Sequence, residues 1–268
     1  MIEGKLSLVL PAHNEEENIA AVVHDAEAVL PTIFSDYEVV VVNDGSKDRT
    51  GEIADQLAAA NPHVRVIHHE VNRGYGDTIT TGMNAANGDY IMFTDSDRQF
   101  DLRDLNRIAP YVPHYDIVAG YRIKRNDPAM RLLYARLFNI AVQLLFNVHV
   151  RDIDCAFKVF HADVLKGMNL QARYGLINAE ILAKANVRGR TIVEVGVNHL
   201  PRTAGEQSGG SWKVVSRSMK ETLKLWLRMR DYVPPDGVIV PQPPNPTLRL
   251  VLGAGAAVVA LFSVLLLR

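Results

Sequence analysis

Residues 5–100 predict an open α/β sheet, doubly wound with helices on both faces. Strand-length apolar runs alternate with helix-length runs, the pattern of repeated βαβ units. One run, YEVVVVN, is β-branched and apolar without alternation, as in a parallel strand covered on both faces. Polar clusters follow three of the strand runs, and a parallel sheet would gather them at its carboxyl edge, where ligands bind.

Leu6–Ala12 (LSLVLPA) reads as the first strand. Asn14 with Glu17 has the spacing of a capping box opening the helix EEENIAAVVHDAEAVL. Tyr37–Asn43 is the second strand, Asp44-Gly45-Ser46 a turn and Asp48–Ala60 a helix. Val64–His69 is the third strand, Gly74-Tyr75-Gly76 a loop and Asp77–Ala86 a helix. Asn87-Gly88 turns the chain into a fourth strand, Tyr90–Thr94, which ends in Asp95-Ser96-Asp97. Further on, Arg131–Phe146 is an apolar helix with two arginines, and Cys155–Phe160 and Thr191–Val197 are strands. No fixed-period repeat occurs.

The chain has 268 residues, of which 48% are apolar and 22% charged, enough for a sizeable core. Lys+Arg 29 against Asp+Glu 30 leaves a net charge of −1, which excludes a globally basic nucleic-acid binder. The lone Cys155 excludes an internal disulfide and a Cys-rich zinc site, and reads as a small buried residue. The N-terminal segment has no basic n-region, so no secretory signal is expected there.

The C-terminal third reads differently. Residues 202–231 carry seven Lys or Arg against three acids, and SRSMKETLKLWLRMR sets Met219, Leu223, Trp226 and Leu227 on one helical face. That is a basic amphipathic helix suited to an anionic membrane surface. Six of the thirteen prolines fall between Pro234 and Pro246, a stiff linker. Leu250–Leu267 then runs 18 residues without a charge. As a helix it reaches ~27 Å, close to the ~30 Å of a hydrocarbon core, so one C-terminal transmembrane helix is expected. The preceding basic stretch would keep the main domain on the cytoplasmic side of the cell membrane. The expected divisions are a main domain 1–215, an interfacial helix 216–232, a linker 233–247 and a membrane span 248–268.

The polar clusters are Pro11–Glu15, Asn43-Asp44-Gly45-Ser46 and Asp95-Ser96-Asp97. A D-x-D pair alone is ordinarily two turn acids. At a strand end beside two other clusters it becomes a candidate cation and nucleotide site, with Asp97 as an exposed rim ligand. Hard oxygen ligands suit Mg²⁺ or Mn²⁺, ions usually shared with substrate phosphates. Neither G-x-x-x-x-G-K nor G-x-G-x-x-G is present. His68 and His69 are adjacent on a strand, face opposite ways and cannot chelate one ion. No Ser/His/Asp ordering supports hydrolase chemistry.

PAHNEEENI, VVVNDGSKDRT, NRGYGDT and DYIMFTDSDRQFD together resemble the nucleotide-sugar-binding half of an inverting family-2 glycosyltransferase of the GT-A fold. The similarity is to the polyprenyl-phosphate sugar synthases, the dolichyl-phosphate mannose synthases and their bacterial glucosyl relatives. RDIDCAFKVF resembles that family's D-x-x-C-G-F-K segment, and HLPRTAGEQSG its Arg-bearing loop. The motifs run in order over residues 5–231. Ala156 stands where the family often has Gly, Asn43 where it often has Asp, and Asn178-Ala179-Glu180 where an acidic pair is frequent.

The resemblance implies transfer of a hexose from a nucleotide sugar to polyprenyl phosphate, with Mg²⁺ or Mn²⁺. GDP-mannose is the first donor it points to and UDP-glucose the second. Pro11, Ala12, His13 and Glu15 would border the nucleotide, with Asp44 on the base or ribose. Asp95 and Ser96 would lie near the donor, and Asp97 and Gln99 (with Asp95) would hold the cation. Arg202, with Lys213 as a weaker candidate, would close over the diphosphate from a glycine-bearing loop, residues 203–211. Arg122 and Arg131 would grip the acceptor phosphate, for which the guanidinium fork is suited. Asp95, Asp97, Arg122, Arg131 and Arg202 are then the expected catalytic set. A processive polysaccharide synthase is disfavoured because Q-x-x-R-W is absent. A non-catalytic nucleotide-sugar-binding membrane protein is the alternative from another class.

Overall fold

A computed structural model describes residues 1–124, 129–201 and 212–241. The elements in chain order are β1 (Ile2–Ala12), α1 (Ile19–Ile33), β2 (Phe34–Asp44), α2 (Thr50–Ala60), β3 (Val64–His69), α3 (Tyr75–Ala85) and β4 (Tyr90–Phe93). A short helix α4 (Leu105–Ile108), β5 (Ile117–Arg122), α5 (Ala129–Phe146), β6 (Lys158–His161) and α6 (Ala162–Leu165) follow. The last elements are α7 (Ile177–Val187), β7 (Ile192–Val197) and α8 (Trp212–Met229).

Seven strands form one sheet in the order β3-β2-β1-β4-β6-β5-β7. Strands β3, β2, β1 and β4 are mutually parallel, with Val9 opposite both Val40 and Phe93. Val39–Val42 are wholly buried, as the unalternating β-branched run requires when helices cover both faces. Strand order moves outward from β1 to β3, and the chain then crosses back to β4. With right-handed crossovers, this reversal places α3 on the sheet face opposite α1 and α2. The gap between β1 and β4 is therefore the topological switch point, and its carboxyl end is the ligand crevice of such a sheet.

The other half departs from a purely parallel sheet. Strand β6 runs antiparallel to both β4 and β5, so the sheet is mixed. The expected strand 155–160 is shorter and begins at Lys158. Strand β5, which brings Arg122 to its end, and helix α7 were not expected from the sequence.

Three local corrections have physical causes. The capping box does not form. Asn14 adopts φ 57°, its side-chain carbonyl accepts from the Lys47 N–H at 2.9 Å, and α1 opens only at Ile19. The Gly74-Tyr75-Gly76 segment is the first turn of α3 rather than a loop before it, apart from Gly74 itself. The amphipathic helix starts at Trp212, before the expected 216.

Residues 233–241 do not project as a spacer. Asp236 pairs with Arg188 at 3.1 Å, and the Val240 N–H donates to the Val187 carbonyl at 2.9 Å. This proline-rich strand thus lies along the end of α7. Among the described residues no helix is long and apolar enough to cross a membrane. The expected span 248–268 lies outside the described residues.

Candidate active site

The site is built around the switch point. The turn after β4 carries Asp95, Ser96 and Asp97, and the end of β1 with the segment after it carries Pro11–Glu15. Ser96 Oγ donates to the Pro11 carbonyl at 2.8 Å, which ties the two polar clusters into one rim. Asp97 Oδ1 accepts from the Gln99 N–H at 3.0 Å, closing a tight acidic turn. Asp97 is 5% exposed, so it is a recessed ligand candidate rather than the exposed one expected. Gln99 exchanges bonds with Leu200: the Leu200 N–H donates to its carbonyl at 2.8 Å, and its side-chain amide donates to the Leu200 carbonyl at 3.3 Å. The chain leaving β7 therefore passes against the acidic turn two residues before Arg202.

The carboxyl end of β2 supports the neighbouring wall. Asp44 Oδ1 accepts from the Arg73 N–H at 2.8 Å and from the His69 ring at 2.7 Å, and Oδ2 accepts from the Gly74 N–H at 3.0 Å. Burial alone would raise the Asp44 pKa. The Arg73 N–H, the His69 ring and the Gly74 N–H outweigh it and hold the carboxyl below its ordinary value. Asp44 thus shapes the β3–α3 segment from within. His69 reaches on to Thr81, while His68 turns outward to Asp55, so the two histidines do face opposite ways. His13 Nδ1 donates to the Asp44 carbonyl at 2.8 Å, which leaves Nε2 as the acceptor facing Asn14. The Glu15 N–H donates to Thr50 Oγ1, and Glu15 Oε2 accepts from Asn18.

Tyr75 was not singled out by sequence reasoning, yet the hydroxyl of this half-buried residue donates to Asp95 Oδ1 at 2.8 Å. Burial first, then the charges of Asp95, Asp97 and Asp154, push its pKa well above the ordinary value, so the hydroxyl keeps its proton. Asp154, in the RDIDCAF segment, is the third carboxylate of this neighbourhood.

The opposite wall is basic. Arg122, at the end of β5, makes a bidentate pair with Asp152, Nε and Nη2 each 2.6 Å from a carboxylate oxygen. Burial would lower the Arg122 pKa, but this pair raises it. Arg122 and Asp152 line a cavity of about 250 Å³ with Tyr121, Arg136, Asn139 and Arg151. Arg151 also sits 4.8 Å over the Tyr121 ring. Strands β4 and β5 both run antiparallel to β6, so the acidic turn after β4 and Arg122 at the end of β5 lie at the same edge of the sheet. The 152–155 turn is held by the buried Lys158, whose ammonium donates to the carbonyls of Ile153 and Cys155 and to Asn178 Oδ1. Burial pushes the Cys155 thiol up to about 11, so it is inert and unsuited to attack.

Asp95, Ser96, Asp97, Gln99, Pro11, Ala12, His13, Glu15 and Asp44 thus share one end of the sheet. Arg122 is drawn into the pair with Asp152. Arg202 and the side chains of Arg131 and Lys213 lie outside the described residues. Among the described residues, no three His, Cys, Asp or Glu side chains gather as a self-sufficient metal cage. Asp95 and Asp97 place two carboxylates, the hard oxygen donors that Mg²⁺ and Mn²⁺ prefer, on one turn.

A switch-point crevice with an acidic turn on one side and arginines on the other lies where an open α/β sheet binds its ligands. The profile of Glycosyl transferase family 2 matches residues 7–168, and the chain belongs to that family. Undecaprenyl-phosphate 4-deoxy-4-formamido-L-arabinose transferase of Edwardsiella ictaluri is 30% identical over 214 residues, covering 79% of this chain and 65% of that one. Glycosyltransferase AglD of Haloferax volcanii is 30% identical over 210 residues, covering 74% and 33%. The chain therefore spans less than two thirds of the length of these curated relatives. Two solved structures share the fold. Glucosyl-3-phosphoglycerate synthase of Mycobacterium tuberculosis with Mn²⁺, UDP and phosphoglyceric acid has a TM-score of 0.65 at 18% identity, covering 83% of this chain and 78% of that one. S. aureus TarS with UDP-GlcNAc has a TM-score of 0.57 at 19% identity, covering 82% and 66%.

Proposed function

We propose that this chain transfers a sugar from a nucleotide sugar to a polyprenyl phosphate at a membrane surface, in one inverting displacement. The observation that carries the proposal is the placing of an acidic turn, Asp95-Ser96-Asp97, and an arginine-lined cavity at the same end of the sheet. The named activity of the E. ictaluri relative supports a lipid-phosphate acceptor. The Mn²⁺ and UDP of the mycobacterial fold neighbour support a UDP-sugar as donor ahead of GDP-mannose.

In this reading Pro11, Ala12, His13 and Glu15 border the nucleotide, and Asp44 holds the wall beside its base or ribose. Asp95, Asp97 and Gln99 would hold a divalent cation, which would neutralise charge on the departing nucleoside diphosphate. Arg202 and Lys213 add positive charge on the diphosphate side. Arg131 and Arg136 receive the acceptor phosphate and offset the repulsion of two anions, with Arg122, held by its pair to Asp152, forming the wall beside them. An acceptor phosphate oxygen bonds to the anomeric carbon as the bond to the diphosphate oxygen breaks. Lipid monophosphate is largely ionised near neutrality, so the step needs no strong general base. Glu180 agrees with that: it is buried and bound to Lys184 at 2.6 Å, away from any acceptor role.

Membrane contact would come from α8 and from α5, where Met130, Leu133, Leu137 and Ile140 are exposed at helical spacing. The test is transfer of label from UDP- and GDP-sugars into extractable lipid, using membranes containing the full chain, undecaprenyl phosphate and Mg²⁺ or Mn²⁺. Lipid-phase label that Asp97→Asn abolishes is expected. Nucleotide binding with no lipid-phase label from any donor would instead favour the non-catalytic binding protein.

A further inference from the structure

The Gly74-Tyr75-Gly76 step is clamped from both sides. On one side the Asp44 carboxylate takes the N–H groups of Arg73 and Gly74. On the other the Gly76 N–H donates to the Arg173 carbonyl at 2.9 Å. The 171–173 segment is itself pinned, since the Gln171 and Ala172 N–H groups donate to the Glu180 carboxylate at 2.9 and 2.7 Å. Neither glycine tolerates a side chain. Gly74 has φ 98° and a Cβ there would lie 2.7 Å from the Arg173 carbonyl, while a Cβ at Gly76 would overlap the Ala172 carbonyl. The backbone of Tyr75 is thus over-determined, and what it delivers is one hydroxyl on Asp95.

A phenylalanine would fill the same space. Tyr75 is half-buried, and its hydroxyl is satisfied by a carboxylate at 2.8 Å. Asp95 sits two residues from Asp97 on the same turn, so the two carboxylates repel unless each is held by a donor. A neutral donor on one Asp95 oxygen fixes the plane of the carboxylate without adding charge.

We propose that Tyr75 is a positioning residue for the transfer site, its hydroxyl locking the Asp95 carboxylate so that Asp95 and Asp97 meet the cation and diphosphate already arranged. This rests on the function proposed above and deepens it. Outer partners of ligating carboxylates are ordinarily worth ~10–100-fold in metal affinity or activity.

The experiment measures Mn²⁺ retention by electron paramagnetic resonance on the full chain, with UDP or GDP, for the wild type, Tyr75→Phe and Asp97→Asn. Near-UV circular dichroism reports the fold of each. The expected result is a folded Tyr75→Phe protein that binds Mn²⁺ about 10-fold more weakly, with kcat reduced more than donor KM is raised. Wild-type Mn²⁺ affinity in Tyr75→Phe, with loss in Asp97→Asn, overturns the inference alone. A Tyr75→Phe protein that fails to fold makes the residue structural and also overturns it. Wild-type affinity in both variants, or no Mn²⁺ retention by the wild type with either nucleotide, overturns the metal assignment itself and this inference with it.

Discussion

Replacing Asp152 by alanine isolates what the Arg122 pair contributes. Both side chains are 9% exposed, and Asp152 accepts two guanidinium bonds of 2.6 Å and the Arg122 N–H at 3.3 Å. Removing one member of a buried pair costs about 3–5 kcal/mol, because the other charge is left uncompensated. The adjoining cavity of about 250 Å³ lets water reach the orphaned guanidinium, which moves the cost towards about 3 kcal/mol. For a domain of this size that corresponds to a fall in Tm of about 6–12 °C. Asp152→Asn keeps one acceptor and should lose roughly half as much. The assay is thermal unfolding by circular dichroism, paired with acceptor KM and nucleotide affinity. Acceptor KM should rise while nucleotide affinity stays within about twofold, since the acidic turn is held separately through Pro11, Gln99 and Tyr75. A Tm within about 2 °C of wild type in Asp152→Ala would refute the reasoning.

Other expectations concern the supports and the product. Asp44 has a lowered pKa in the folded state, so its contribution is complete above the ordinary value of ~3.9 and is lost as pH falls through the folded value. Asp44→Asn should therefore cost about 1–3 kcal/mol at pH 7. The gap from wild type should narrow below about pH 4 in urea unfolding series. A gap that is constant with pH removes the charged Asp44 bonds from the account. Lys158→Met leaves two carbonyls and Asn178 Oδ1 without their donor and should lower stability by about 2–4 kcal/mol by denaturant titration. A neutral effect would contradict its anchoring of the 152–155 turn. An α-linked nucleotide sugar should give a β-linked lipid phosphate, read from the anomeric coupling by nuclear magnetic resonance; a retained α linkage contradicts a single displacement.

The parallel half of the sheet was legible because each strand has an apolar, β-branched stretch such as Val39–Val42 that outweighs its few polar residues. Val39–Val42 are buried on both faces, and the clusters after β1, β2 and β4 follow from strand direction alone. Helix α7 was hidden for the opposite reason. Residues 177–185 are buried all round, and the helix buries Asn178, Glu180 and Lys184 among its apolar residues, so no 3.6-residue stripe appears. The start of β6 was obscured by Lys158, a lysine inside a strand whose partners lie in other segments. The pairing of Arg122 with Asp152 spans thirty residues and leaves no local signal. Tyr75 was passed over because a tyrosine between glycines reads as turn filler; its meaning depends on Asp95, twenty residues away. Asn14 misled because the capping spacing was right while its side chain had a better partner across the rim in Lys47.

The account turns on what the acidic turn after β4 holds. Crystals of the full chain grown with a nucleoside diphosphate and Mn²⁺ should show an anomalous peak against the Asp97 carboxylate, at the carboxyl end of β4 between the segments after β1 and β7. Bound nucleotide in the crevice with the Mn²⁺ peak elsewhere would contradict it.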